Sequence, residues 1–475
     1  MRSLAFVFLT IAVYAQTEAV PPSPATVRAN VPNSGITSAQ QGLFNGSVAT
    51  GQAGPPLSLS LQDSLDRGLK TNLGLLVQTA GAQLARAERI RALSALRPAV
   101  VGNIAETVQQ VDLAAFGFRG NFPGIPQIVG PFGLTDLRAS ASQTIYDRTA
   151  LKNRRSAMED ERAANLSVQD ARDLVVQAVA TAYLQIISDQ ARIDATRAQV
   201  ATAQALYERA RDQHRAGVSP AIDELRAQVE LKTQQQALIA EQNQLDKDKL
   251  TLGRVIGLPP GQEFTLSESA PYSALEGLSP DDMLKRAYDT RSDYKSAMSK
   301  LRVAELAREA AVAQRYPALG ITGNYGDIGT NIGNSHGTFA VTGSLRFNIY
   351  DGGRIKADIE QAEAIIKQRK DELADLRGQI DQQVRSALID LNTARDQVAV
   401  ARENLDLANQ TLEQARDRFS AGVADNIEVV QAQQSVANAN QSLISAVLLH
   451  NLGKVSLARA VGAAETSLKQ FMGGK

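Results

Sequence analysis

Side chains able to do chemistry are few in this chain and poorly grouped. Cysteine is absent, and histidine occurs only at His214, His336 and His450. These three fall in different predicted elements, so no metal-ligand spacing arises. His214 takes a coiled-coil core position, which suits a packed or snorkelling ring, and His336 falls in a predicted loop between two strand-like stretches. There is no Walker A sequence, no GxGxxG after a strand, no HExxH and no GxSxG. The glycines between Gly320 and Gly337 have no helix behind them to complete a phosphate cradle. No nucleophile, base and orienting group come together. The chain therefore reads as a non-enzyme with no cofactor and no metal. Two acids do stand out. Asp425 and Glu428 lie one helical turn apart beside an AGV turn. A solvated helix face is the ordinary fate of such a pair.

The elements that position these residues form an internal repeat. ERARDQHRAGVSPAIDELRAQ (Glu208 to Gln228) aligns without a gap with EQARDRFSAGVADNIEVVQAQ (Glu413 to Gln433) at an offset of 205. LGRVIG from Leu252 meets LARAVG from Leu457 at the same offset. Upstream, QTIYD ending at Asp147 matches FNIYD ending at Asp351, and RPAV at Arg97 matches YPAL at Tyr316. Each copy predicts an amphipathic helix (62–96 and 280–315), a proline that opens a strand-like stretch, a long helix, an AGV turn and a second helix.

The long helices keep a seven-residue register. Val384, Leu391, Val398, Leu405, Leu412 and Phe419 recur every seven, as do Val179, Ile186, Ile193, Val200 and Tyr207, with His214 sixth. Ala387, Ala394, Ala401, Ala408 and Ala415 follow three residues behind. A strict seven-residue period implies left-handed coiled packing, and the alanines allow close approach. A helix from Leu151 to Arg215 would run roughly 100 Å at about 1.5 Å per residue. A coiled-coil scaffold or a periplasm-crossing tube needs that length, whereas a compact soluble domain does not.

The strand-like stretches have the other period. Phe339, Val341, Gly343, Leu345, Phe347 and Ile349 alternate with polar or small residues. Leu319 to Asp327 is the predicted partner, across the loop GTNIGNSHG. In the first copy, Val101 to Leu113 and Leu137 to Ile145 are predicted around a loop from Phe116 to Gly133. About ten residues is the length of a tilted transmembrane strand. Four strands cannot close a barrel, for which about eight is the minimum. If these strands enter lipid, the chain must oligomerise; if not, they are soluble hairpins capping the helices.

Basic and acidic residues number 50 each, so no electrostatic case for nucleic acid exists. Arg2, the apolar run Leu4 to Val13 and Val13-Tyr14-Ala15 read as a signal peptide over 1–15. A Pro/Gly/Ser/Gln-rich linker follows over 16–56. Repeat 1 covers 57–270, repeat 2 covers 271–465 and a tail covers 466–475. No later run reaches about 18 consecutive apolar residues. With no cysteine, no lipid anchor of the N-terminal-cysteine type is expected.

LSLSLQDSLDRGLKTNLGLL near Leu59, the proline opening each hairpin, IYDGGR at Ile349 and AGV at each helical turn together resemble the TolC-like outer-membrane efflux proteins. The likeness covers about Leu57 to Gly462. It implies a mainly α fold with membrane β: a homotrimer whose chains each give four strands to a twelve-stranded outer-membrane barrel, continuous with a periplasmic α-helical coiled-coil barrel. It also implies three partner classes, namely a periplasmic adaptor, an inner-membrane transporter and outer-membrane lipid. Carried over residue by residue, the adaptor-docking tip is Gly217, Val218 and Ser219 with Gly422, Val423 and Ala424. An ordinary helix-hairpin turn would use the same residues. The family's acidic constriction falls on Glu428 and on Gln431, which departs from the pattern, and Asp425 could supply the missing charge. Phe419 and Ala424 stand where the family's closed state uses tyrosine and arginine, with Arg418 close enough to substitute. The implied function is an outer-membrane exit duct of a tripartite efflux pump or type I secretion system, gated at the helical tip and favouring cations there. The alternative is an exported coiled-coil scaffold without a pore.

Overall fold

The computed structural model describes residues 42, 44–49, 51–117, 126–268, 272–273, 275, 277, 279–421, 423 and 426–466. The expected signal peptide lies outside them, as do most of the expected linker and tail. The described chain forms two compact units. One comprises Ile90–Arg154 and Glu309–Ile359, and the other Ile36–Arg89, Arg155–Arg308 and Glu360–Lys475.

The first unit holds a four-stranded antiparallel sheet. Its strands are β2 (Ala99–Asp112), β3 (Ile128–Tyr146), β5 (Ala318–Gly329) and β6 (Ser335–Arg346), in the order β2-β3-β5-β6. Register fixes the two faces. Ile104 sits opposite Leu137, Leu137 opposite Asp327, Ala139 opposite Tyr325, and Tyr325 opposite Phe339. One face thus collects Val100, Ile104, Val108, Leu137, Tyr325, Phe339, Val341 and Leu345, and most of these are well exposed. The other carries Asn103, Thr107, Arg138, Ser140, Asn324, Thr338 and Thr342. Period-two alternation in four strands, in register, yields an apolar side and a polar side. β2 and β6 are the sheet's two edges.

Three sequence expectations need correction here. β3 begins at Ile128, inside the stretch read as loop, because Gly130 and Pro131 lie beside a bulge between Gln109 and Val111 that absorbs them. A Cβ on Gly130 would sit 2.7 Å from the Gln109 carbonyl, so glycine is required. His336 belongs to β6, opposite Ile328, and is not in the loop. Residues 347–349 continue the alternation without strand pairing.

The second unit is helical. α1 (Leu61–Thr71) and α2 (Leu73–Ser94) precede the first hairpin, and α5 (Pro280–Thr290) and α6 (Ser292–Ala313) precede the second. The long helices are α3 (Arg148–Arg215), α4 (Ala221–Val255), α7 (Arg354–Ser420) and α8 (Asn426–Ala460). β1 (Leu57–Leu59) pairs in parallel with β4 (Phe264–Leu266). Ser60 opens α1 with a reciprocal capping box to Asp63. The heptad positions are the buried ones: Val179, Ile186 and Ile193 in α3, Val384, Leu391 and Val398 in α7, and the alanine series Ala387 to Ala415.

The expected single helices 62–96 and 280–315 are each broken, at Asn72 and at Arg291. Glycine packing explains both breaks. Gly257, with φ +70°, ends the first hairpin against Thr71, where a Cβ would fall 2.5 Å from Thr71 Oγ1. Gly462, also at φ +70°, ends the second against Arg291, where a Cβ would fall 2.7 Å from Arg291 Cα. The break residues then differ. Asn72 Oδ1 accepts from the Gly74 amide at 2.9 Å and so caps α2. Arg291, 2 % exposed, donates to Asp293 at 2.5 Å, to Gln383 at 2.8 Å and to the Ala460 carbonyl at 3.1 Å.

Gly462→Ala is expected to cost more stability than Gly217→Ala. Gly217 has a similar φ, +72°, but open space around it, so it isolates the backbone strain of about 1–2 kcal/mol. Denaturant midpoints of the two variants measure the difference. Equal costs would contradict close packing at the Arg291 break.

Candidate functional site

The two hairpin turns share a backbone bond. Gly217 adopts φ +72°, its amide donates to the His214 carbonyl at 2.9 Å, and the Val218 amide donates to the Gln213 carbonyl at 2.9 Å. That is a helix C-terminus closed by a left-handed glycine, which satisfies carbonyls the helix leaves open. At the second turn the Val423 amide donates to the Arg418 carbonyl at 2.9 Å, the same bond displaced by the repeat. The closure leaves Val218 and Val423 as apolar knobs, 76 % and 70 % exposed. Ser219 is half-buried, with its hydroxyl oxygen unpartnered among the described residues. Gly422, Ala424 and Asp425 lie outside the described residues.

Below the turns the two hairpins pack on each other through small residues. Ala210 and Ala227 of the first meet Ala415 and Ala432 of the second, with Leu206 and Val429 in the same buried cluster. The four alanines are two repeat-related pairs. Tyr207, Leu412, Phe419 and Val430 flank them. Phe419 is half-buried there, and the Arg209 guanidinium lies 5.7 Å from its ring centroid. Sequence reading placed Phe419 at a gate, and the structure places it at the contact between hairpins.

The polar residues pair across each turn. Arg418 Nη1 meets Glu428 Oε2 at 3.3 Å, with both side chains substantially exposed. Such a pair contributes only about 0–1 kcal/mol, so it can break easily. Gln431 is exposed, and its backbone carbonyl accepts from Ser435 Oγ at 3.0 Å. At the first turn, His214 Nδ1 and Glu224 Oε2 are 2.6 Å apart. His214 is half-buried, and its ring is held by a carboxylate. The repeat carried a signal for this pair, because Phe419 and Val429 occupy the matching places in the second copy.

Two further buried polar groups escaped the sequence reading. In the first hairpin Asp189 is 2 % exposed. Burial first, then a hydrogen bond with Asp248, push its carboxyl up to about 6, against the opposing pull of Gln185 and Arg192. The repeat partners of Asp189 and Asp248 are Ala394 and Gly453, and a Cβ on Gly453 would lie 3.4 Å from Leu391 Cα. The second hairpin packs helix on helix where the first holds an acid pair. In the second hairpin Lys454 is fully buried and donates to Ser273 Oγ at 2.8 Å. Burial lowers its ammonium to about 8. His450 lies beside it, 3.2 Å from the Ser273 carbonyl.

Among the described residues no group of His, Asp and Glu is arranged to hold a metal ion, and no helix is long and apolar enough to cross a membrane. What the geometry offers is an apolar-faced sheet, two jointed helical hairpins and a weakly latched tip.

The chain is similar to known proteins in sequence and in fold. A family model described as outer membrane efflux protein matches residues 133–258 and 283–463. The chain is 25 % identical over 378 residues to the probable efflux pump outer membrane protein TtgC of Pseudomonas putida, covering 75 % of this chain and 76 % of that protein. It is 24 % identical over 413 residues to the outer membrane efflux protein BepC of Brucella suis, with 85 % of each covered. In fold it resembles the CmeC outer membrane channel of Campylobacter jejuni, with a TM-score of 0.74, 16 % identity, and 87 % of this chain and 89 % of that one covered.

The carboxyl of Asp189 gives the first hairpin a pH dependence. Its folded pKa, about 6, lies above the ordinary 3.8. The folded state then holds the proton more tightly, so α3–α4 is expected to be most stable below pH 4 and to weaken as pH rises towards 6. Amide hydrogen exchange of the α3–α4 hairpin across that window checks it, with Asp189→Asn removing the dependence. The same slope in the Asn variant would contradict the assignment.

Proposed function

The chain belongs to the outer membrane efflux protein family, and from that premise we propose a passive exit duct closed at its helical tip by the second hairpin. The protein is an outer-membrane efflux channel subunit, not a poreless scaffold. One observation carries the channel reading: an exposed apolar face that runs in register across all four strands, backed by a polar face. That is the pattern of a barrel wall between lipid and water. The edges β2 and β6 call for copies of the chain, and a homotrimer of four strands each closes twelve. Anchorage in the outer membrane then comes from the strands, with the long helices in the periplasm.

The tip has two roles in this proposal. Val218 and Val423, with Gly217, Ser219, Gly422 and Ala424, dock a periplasmic adaptor. The exposed valines and the matching backbone bonds of Val218 and Val423 support this, since an apolar knob on a backbone turn admits close approach by a partner helix. An inner-membrane transporter supplies the energy and selects the cargo, in a tripartite efflux pump or a type I secretion system. The second role is the gate. Asp425 and Glu428 gather like charge on the axis of a trimer and favour cations. Arg418 holds Glu428, while Gln431 is uncharged at the place of a second acid. Phe419 seats the hairpin against its neighbour until it opens.

Single-channel recording in planar bilayers tests the gate with opposite signs. Arg418→Ala frees the Glu428 carboxylate, and cation preference is expected to rise. Glu428→Ala combined with Asp425→Ala removes the charge, and preference is expected to fall several-fold. Unchanged conductance and preference in both would sink the ring assignment. Fractionation tests the membrane reading itself: extraction by salt without detergent would contradict it.

A further inference from the structure

We propose that the helix-side rim of the sheet binds anionic phospholipid headgroups through Arg97, Arg148 and Arg315. The inference rests on the outer-membrane reading above and adds a lipid preference to it. β2 and β5 start at one rim and β3 and β6 end there, so four chain passages meet along it. Arg97 precedes β2, Arg148 follows β3 and Arg315 precedes β5, and all three are exposed. The Arg148 guanidinium lies 4.3 Å from the Tyr316 ring centroid, which leaves the outer edge of the guanidinium available. No carboxylate among the described residues pairs with Arg97 or Arg315.

Acids at this rim are otherwise engaged. Asp147 Oδ1 accepts from the Ala150 amide at 3.0 Å and caps α3. Asp351 accepts from the Gly353 amide at 3.1 Å and the Ile355 amide at 2.8 Å, capping α7. Those bonds hold the Asp351 carboxyl below its ordinary range. Both carboxylates thus stay charged but are turned to the helix starts and not to Arg97, Arg148 or Arg315.

Aromatic residues mark the same level. A bulge between Thr144 and Tyr146 brings Tyr146 opposite Leu319, on the apolar face. Leu345 pairs with Leu319 on that face. Phe347 and Tyr350 lie just beyond, 58 % and 91 % exposed. Tyrosine and phenylalanine beside arginine are the composition of a headgroup layer. Arg346 sits opposite Ala318 in the intervening register, on the polar face, and is not part of the set. The far rim has the opposite charge. Its described charged residues are Glu106, Asp112, Asp136 and Asp327, with Arg138 paired to Asp136 at 3.2 Å. A sheet basic at one rim and acidic at the other fits a bilayer whose leaflets differ, with anionic phospholipid on the helix side.

Native mass spectrometry of the purified oligomer, incubated with equal amounts of phosphatidylglycerol and phosphatidylethanolamine, tests this. Phosphatidylglycerol is expected to be retained at least about five-fold over phosphatidylethanolamine, since one surface arginine contributes about that factor. Arg97→Gln, Arg148→Gln and Arg315→Gln together should abolish the preference, and the three lysine replacements should keep it. No preference in the unaltered protein, or a preference surviving in the glutamine variant, would overturn the inference while the oligomer still conducts. A protein that neither oligomerises nor conducts would overturn the channel reading, and the inference with it.

Discussion

A peptide group in hydrocarbon must find its hydrogen bond within protein, because no water is there to supply one. The sheet in this chain satisfies that demand between β2 and β3, β3 and β5, and β5 and β6, and leaves two edges. With its apolar face exposed from Val100 to Leu345, the sheet is suited to lipid only when β2 meets a β6 from another copy. Closure therefore dictates assembly. In the proposed trimer the helical hairpins gather about one axis, where a seven-residue register and an alanine series let them pack closely. The tip chemistry matters in that proposed trimer because three copies of each tip residue come together.

The duplicated halves share a skeleton and diverge where the chemistry sits. Gly257 and Gly462 close the two hairpins in the same conformation. The residues they press upon open different networks: Asn72 caps a helix, whereas Arg291 is drawn into a buried cluster. Arg459 joins that cluster region, donating to Asp170 at 2.6 Å and tying α8 to α3. Along the hairpins, Asp189 and Asp248 stand against Ala394 and Gly453. At the turns, His214 and Glu224 stand against Phe419 and Val429. At these places one copy is polar where the other is close-packed, so the two need not respond alike to the same condition.

Much of this was legible in the sequence because it depends on period. A heptad fixes which helical face is buried, and Val384, Leu391 and Val398 were readable as core for that reason. Alternation did the same for Phe339 to Leu345, and the glycine turns were marked by position as well as type. What escaped depends on contacts between distant segments. Asn72 supplies a local cap, but at Arg291 nothing local breaks the helix; Gly257 and Gly462, far along the chain, supply the packing constraint. β3 was hidden by Gly130 and Pro131, which discourage a strand except beside a bulge, and the bulge belongs to its partner. Asp189 carries no sequence mark of burial, since a charged residue on a long helix ordinarily faces water. The weak tip pair Arg418–Glu428 was half visible: proximity was foreseeable, pairing was not.

The alanine contact between hairpins is where opening must begin if the second hairpin gates the duct. Arg209 and Phe419 border that contact and touch no other proposed tip function. Single-channel recording of the Arg209→Ala, Phe419→Ala protein, without nucleotide or partner, measures whether loosening it opens the path. A larger unitary conductance or a higher open fraction than in the unaltered protein is the expected result. Conductance and open fraction identical to those of the unaltered channel, in a variant that assembles normally, would contradict a gate at this hairpin.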